Sequence, residues 1–223
     1  MRPVDIGQWM LWNLGWLLLM LVWLGPLPHH VMRSFAAHMS VHMAVVAVAA
    51  PLLSLGLAGR KYDPVDAHPA LFSPLLASLG ELAIVWLWHA PRPHHWACFT
   101  AVGFAAEQLS FLAAGLWIWL AAIGGHSPRS RQRSAAGVIA LLVTSMHMTL
   151  LGALLALAQR PLYPHGPPGD AIRQLQDQQL GGAIMLVVGG ASFLLGGLAL
   201  TYDLLRPVPS PSEVFHEASP NNT

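Results

Sequence analysis

The chain alternates long apolar runs with short polar joints. Six runs of about 18 to 28 residues stand out, at 8–25, 33–56, 70–89, 96–123, 134–158 and 179–204. At about 1.5 Å of rise per residue, each is long enough to cross a hydrocarbon core of about 30 Å as a helix. The joints LGPLPHH, GLAGRKYDP, HAPRPHH, GGHSPRSRQR and QRPLYPHGPPGD carry the Pro, Gly and charged residues that end helices. The pattern predicts an all-α polytopic membrane bundle of about six transmembrane helices over residues 1–206. The tail at 207–223, SPSEVFHEASPNNT at its end, is polar and proline-containing and is expected to be disordered.

The first run begins after Met1 and Arg2, as a signal peptide does. It is long, carries Trp9, Trp12, Trp16 and Trp23, and ends without a small-x-small cleavage site, so it reads as a retained helix.

Composition agrees with the pattern. The chain is 55% hydrophobic and 9% charged, against about 25% charged for a soluble domain, and its mean hydropathy is +0.53. Counted by alternate sides, one set of joints holds Arg2, Arg60, Lys61, Arg129, Arg131, Arg133 and Arg206, and the other Arg33, Arg92, Arg160 and Arg173. The richer set marks the cytoplasmic side and puts both termini there. The expected location is a membrane crossed several times.

That orientation sends His29, His30, His94, His95 and His165 outward and keeps His68, His126 and His216 inside. His29, His30, His94 and His95 read as headgroup-level residues beside Trp86, Trp88 and Trp96, and His165 and His216 as ordinary loop residues.

Histidines within the spans need another account. In HMSVHM, residues 38 to 43, His38 and His42 are four apart, as are Met39 and Met43, so each pair shares one helix face. His42 and His147 lie well inside apolar runs, where lipid offers an imidazole no partner. Glu81 and Glu107 share that depth. An unpaired carboxylate there costs about 3 kcal/mol or more, so each is expected to be protonated, paired or beside a wet cavity. Histidine with methionine and a single cysteine, Cys98, suits cuprous copper better than zinc, calcium or magnesium. Met39, Met43, Met146 and Met148 also suit plain packing. There is no phosphate loop, no nucleophile with a base, and no nucleic-acid patch at a net charge of +1, which argues against an enzyme.

HMSVHM with AVAAPLLSLG, WHAP at 88–91, AEQLSFLAAGLWIW at 106–119, SMHMTLLGALLALAQRPLYP at 145–164 and LQDQQLGGAIM at 175–185 resemble, in order and spacing, the polytopic CtaG family of cytochrome c oxidase assembly factors. The resemblance covers roughly residues 30 to 200. It implies a role in building a haem–copper oxidase by delivering Cu(I), taken from a soluble or membrane-tethered donor, to the copper centre of the catalytic subunit. It places the family's motif histidines on His38, His42, His89 and His147, its fourth-span glutamate on Glu107, and its acidic-amide turn on Asp177, Gln178 and Gln179. Two positions depart from the family pattern: Gln108 stands where histidine is usual after Glu107, and Leu186 where tryptophan is usual.

The resulting expectation is an outward-opening polar site on the second, third and fifth spans. His38, His42, His89 and His147 would hold Cu(I), Met39 or Met43 would offer a transfer ligand, and Glu107 would orient a ring or accept a proton. Asp177 reads as a cap on a helix beginning near Gln179. Paired glycines at 181–182, 189–190 and 196–197 predict close packing of the last span. Two other roles stay open: a b-haem electron carrier, and a metal-free companion of the oxidase.

Overall fold

The computed structural model describes residues 6–125, 131–163 and 170–206. The polar tail, with His126, His165 and His216, lies outside the described residues. Within them every regular element is helical: α1 Ile6–Leu24, α2 Pro28–Val31, α3 Phe35–Met43, α4 Ala50–Leu57, α5 Pro74–Trp88, α6 Pro91–Phe99, α7 Ala101–Ile123, α8 Arg131–Ala156, α9 Ala171–Ile184 and α10 Gly190–Leu205. Helix α3 runs into α4 through a π-helical segment, Ala44–Ala49, and α9 into α10 through another, Met185–Gly189.

Five continuous helices among the described residues are long and apolar enough to cross a membrane: Ile6–Leu24, Phe35–Leu57, Ala101–Ile123, Arg131–Ala156 and Ala171–Leu205. The third predicted crossing is shorter than the apolar run at 70–89. Helix α5 has 15 residues, about 22 Å. Pro74 opens it, and Pro91 holds Ala90 in an extended conformation (φ −71°, ψ 140°) that the helix cannot continue through. The fourth run divides at Thr100, whose extended backbone ends α6 and whose hydroxyl accepts the Gly103 N–H at 3.0 Å to start α7. The last run begins at Ala171 rather than 179, capped by Asp170, which accepts the Arg173 N–H at 3.1 Å.

The first π segment has a local cause. Pro51 has no N–H for the Ala47 carbonyl one turn back. Ser192 Oγ on α10 donates to that carbonyl at 2.6 Å instead, satisfying a group for which hydrocarbon has no donor. At the second π segment Ser145 Oγ donates to Gly190 O at 2.8 Å.

Helix α8 packs against α5, α7, α9 and α10, while α1 lies outside against α4 and buries only Gly15, Leu19 and Val22. Helices α8 and α9 meet backbone to backbone: a Cβ on Gly182 would strike the Ala156 backbone, and, just past the end of α9, Leu186 N would lie 2.6 Å from one on Gly152. The predicted close packing of the last span is present along its length, with Gly181 against Phe35 and Met39, Gly189 against Met43, and Gly196 against Trp119.

At one end of the bundle, Asp63 collects the loops, accepting the N–H of Gly59 and of Gly125 at 2.7 Å and of Val65 at 3.0 Å. At the other end Ser34, α6, Tyr163 and the start of α9 come together, and the polar cluster lies there.

Candidate metal centre

Helix α3 presents the HMSVHM face to the bundle. Ser34 is its cap, its Oγ accepting the Ala37 N–H at 3.1 Å and donating to Asp177 Oδ1 at 2.7 Å. The same carboxylate accepts the N–H groups of Phe35 and Ala36. Asp177 therefore caps the helix carrying His38 and His42, from a position inside α9, and does not cap its own helix. Its neighbours tie down the connection before α9: Gln178 Oε1 accepts the Leu162 N–H at 2.6 Å, and Gln179 Nε2 donates to Ala158 O at 3.0 Å.

His38 and His42 are fully buried, one turn apart, with ring centroids 4.2 Å apart. Both aim Nε2 at one carboxylate oxygen of α7: Glu107 Oε1 is 3.1 Å from His38 and 3.3 Å from His42. The first contact is a hydrogen bond. The second is off the hydrogen-bond axis, and His42 Nε2 has no hydrogen-bond partner among the described residues. Gln108 Nε2 donates to His42 Nδ1 at 3.0 Å, and the Trp23 indole N–H holds the Gln108 oxygen at 3.4 Å. With Nδ1 accepting, the neutral His42 ring carries its proton on Nε2, toward Glu107.

On the other side of His38 stands α6. Cys98 Sγ is 3.4 Å from His38 Nδ1 and 3.4 Å from His94 Nε2. Two compact donor groups result, His38–His42–Glu107 and His38–His94–Cys98, each with its ligand atoms within 4.8 Å of one another. An ion about 2.0–2.3 Å from each donor bridges atoms about 3.5 Å apart, so these separations suit one small metal ion in either group.

His89 caps α5 beside them, its ring centroid 6.2 Å from that of His42. Its Nδ1 donates to Val85 O at 2.7 Å, which leaves Nε2 as a lone pair, the tautomer a ligating histidine needs. That Nε2 is buried with no hydrogen-bond partner among the described residues. Tyr163 O–H donates to His89 O at 2.6 Å, and burial pushes its phenol up to about 12, so the donor persists at neutral pH. Phe111 covers His42, and Phe35 stacks on Tyr163.

A cavity of about 350 Å³ opens beside this cluster, lined by Pro91, Arg92, His94, His95, Cys98, Phe99, Leu162 and Tyr163. It reaches the His38–His94–Cys98 group directly.

The remaining sequence candidates lie elsewhere. His147 on α8 faces Glu81 on α5, with Nε2 and Oε2 2.7 Å apart, and belongs to neither donor group. Met39 and Met43 are buried against Gly181 and Gly189, on the side of α3 that packs on the last span. Met146 is 71% exposed on the outer surface of α8. His29, His30 and His95 are exposed, as headgroup-level residues should be, but His94 is 2% exposed and joins the cluster. Sequence reasoning missed His94 and Cys98. Their signal is the four-residue spacing in HHWAC, which puts both on one face once Pro91 starts a separate helix.

No curated protein and no solved structure matches the chain. A family model does, over residues 2–207, and with its span covering nearly all of the bundle the chain belongs to the cytochrome c oxidase caa3 assembly factor family, Caa3_CtaG.

Proposed function

We propose that this assembly factor acts by carrying Cu(I) as cargo, held at the His38–His42–Glu107 group with His89 alongside, and passing it to the copper centre of the oxidase catalytic subunit. The observation that carries the reading is His89 Nε2, a buried lone pair with no hydrogen-bond partner among the described residues, beside two buried imidazoles, His38 and His42, that share one carboxylate. A buried polar atom left unsatisfied costs about 1–3 kcal/mol, a cost a bound ion removes. Imidazole is a suitable ligand for copper, and a site with few ligands suits release by ligand exchange. The residues 1–206 would act as one bundle in the bacterial inner membrane, with the pocket on the outer side and both termini in the cytoplasm, where the positive joints favour them.

The histidine pairs disfavour the haem alternative. His38 and His42 lie edge to face at 4.2 Å between centroids, and His38 and His94 at 4.6 Å, with no slot for a macrocycle between the rings.

The test is metal content of the detergent-purified chain after Cu(I) loading under reducing conditions, with copper content of the oxidase in cells as the second readout. The expected result is bound copper, reduced in His42→Ala and in His89→Ala, with the oxidase left short of copper while the chain itself persists in the membrane. A well-folded wild type that takes up no copper makes it a metal-free companion, and a haem absorption band makes it an electron carrier.

A further inference from the structure

We infer that His38, His94 and Cys98 form a second, sulfur-containing Cu(I) station at the floor of the pocket, and that His38 joins it to the carboxylate station through its two ring nitrogens. The inference rests on the copper reading above.

Four observations converge on it. The three donors lie within 4.8 Å of one another and are all buried. His94 and Cys98 come from one short helix at a spacing of four, so α6 presents both as a unit. Both also line the cavity, whereas Glu107 and His42 do not. As a carboxylate, Glu107 only accepts, so His38 carries its proton on Nε2 and its Nδ1 lone pair faces Cys98 Sγ at 3.4 Å.

The chemistry favours sulfur as the first contact. Thiolate is a soft ligand that selects Cu(I). On binding, the Cys98 S–H bond gives way to S–Cu(I), and the proton leaves to water in the pocket. Onward transfer breaks S–Cu(I) as the bond from copper to the His89 Nε2 lone pair forms; the thiolate regains a proton from water in the pocket, and no electron moves. His38 borders both stations through different ring nitrogens, so its bond to copper through Nδ1 breaks as the ion passes to the Nε2 side.

The test uses the full chain in detergent, loaded anaerobically with Cu(I) alone and examined by X-ray absorption. The expected result is a sulfur shell at copper in the wild type, absent in Cys98→Ser and retained in His42→Ala. Cys98→Ser should still bind copper through imidazole, weakened about tenfold or more. In parallel, Cu(I) should protect Cys98 from alkylation by a maleimide, and His94→Ala should reduce that protection, a comparison that holds even if Cys98→Ser folds poorly. Copper with only nitrogen and oxygen neighbours in the wild type, a sulfur shell that survives Cys98→Ser, or alkylation unaffected by Cu(I) overturns the sulfur station and leaves the proposed function standing. No copper uptake by folded wild type overturns both.

Discussion

Asp177 and Ser34 are 143 residues apart in sequence and 2.7 Å apart in space, and their contact fixes the start of the helix that carries His38 and His42. Asp177→Ala removes an acceptor from Ser34 and from two backbone N–H groups. It should cost about 0.5–2 kcal/mol of stability, with Asp177→Asn costing less because one oxygen remains. Thermal unfolding in detergent measures the difference.

Glu107 is the shared partner of two buried imidazoles. Glu107→Ala should destabilise by about 3–5 kcal/mol, the size expected when one member of a buried pair is removed. Because His38 loses its partner in that variant, adding His38→Ala should cost less than His38→Ala alone. A double-mutant cycle should return a coupling of about 0.5–3 kcal/mol; a coupling of zero would mean that the 3.1 Å contact contributes nothing.

Gln108 holds His42 in one tautomer through Nδ1. Gln108→Leu keeps the bulk and deletes the hydrogen bond. That bond keeps the ring proton on Nε2, so its loss should let the proton move to Nδ1, free the Nε2 lone pair and raise Cu(I) affinity. Competition with a cuprous chelator gives the number, and an unchanged affinity would separate Gln108 from the site.

His147 pairs with Glu81 away from both donor groups. His147→Ala should therefore leave copper stoichiometry unchanged while destabilising the bundle by about 3–5 kcal/mol, since Glu81 is left buried alone. Replacing both with leucine should recover much of that loss. Loss of copper in a His147 variant whose unfolding temperature is unchanged would return this residue to the metal site.

Gly182 meets backbone, not side chain, on α8. Gly182→Ala should cost about 1–3 kcal/mol through forced separation of the two helices. Gly196→Ala, which meets the side chains of Trp119 and Leu141 and no backbone atom among its nearest neighbours, should cost less. Comparing the two by chemical or thermal unfolding tests whether the α8–α9 contact is as tight as described.

Much of the helical architecture was legible because the need to satisfy backbone groups in lipid is local: an apolar run of sufficient length must be a helix. The length of α5 was less legible. Its limits were written in Pro74 and Pro91, but the apolar residues outside them masked the prolines. His42, Glu107, Glu81 and His147 stood out singly, since each is polar at membrane depth. Which glutamate faces which histidine depends on how helices rotate against one another, and a π segment resets that rotation midway through the second span. His94 was hidden for a different reason. Tyr163, His38 and Phe35 pack on it, with rings 4.4, 4.6 and 5.4 Å away on distant segments, so no window of sequence around His94 contains the cause. Asp177 was recognisable as a capping residue, while the helix it caps lies at the other end of the chain.

The hydrogen bond from Ser192 to the Ala47 carbonyl has a consequence for how such chains diverge. Pro51 and Ser192 answer to the same backbone oxygen, one by withholding a donor and the other by supplying it. A lineage that exchanges the proline for a residue with an N–H releases position 192 to drift toward alanine. One that keeps the proline must keep a hydroxyl there. The two positions should therefore change together among relatives, and an alignment in which they vary independently would refute the link.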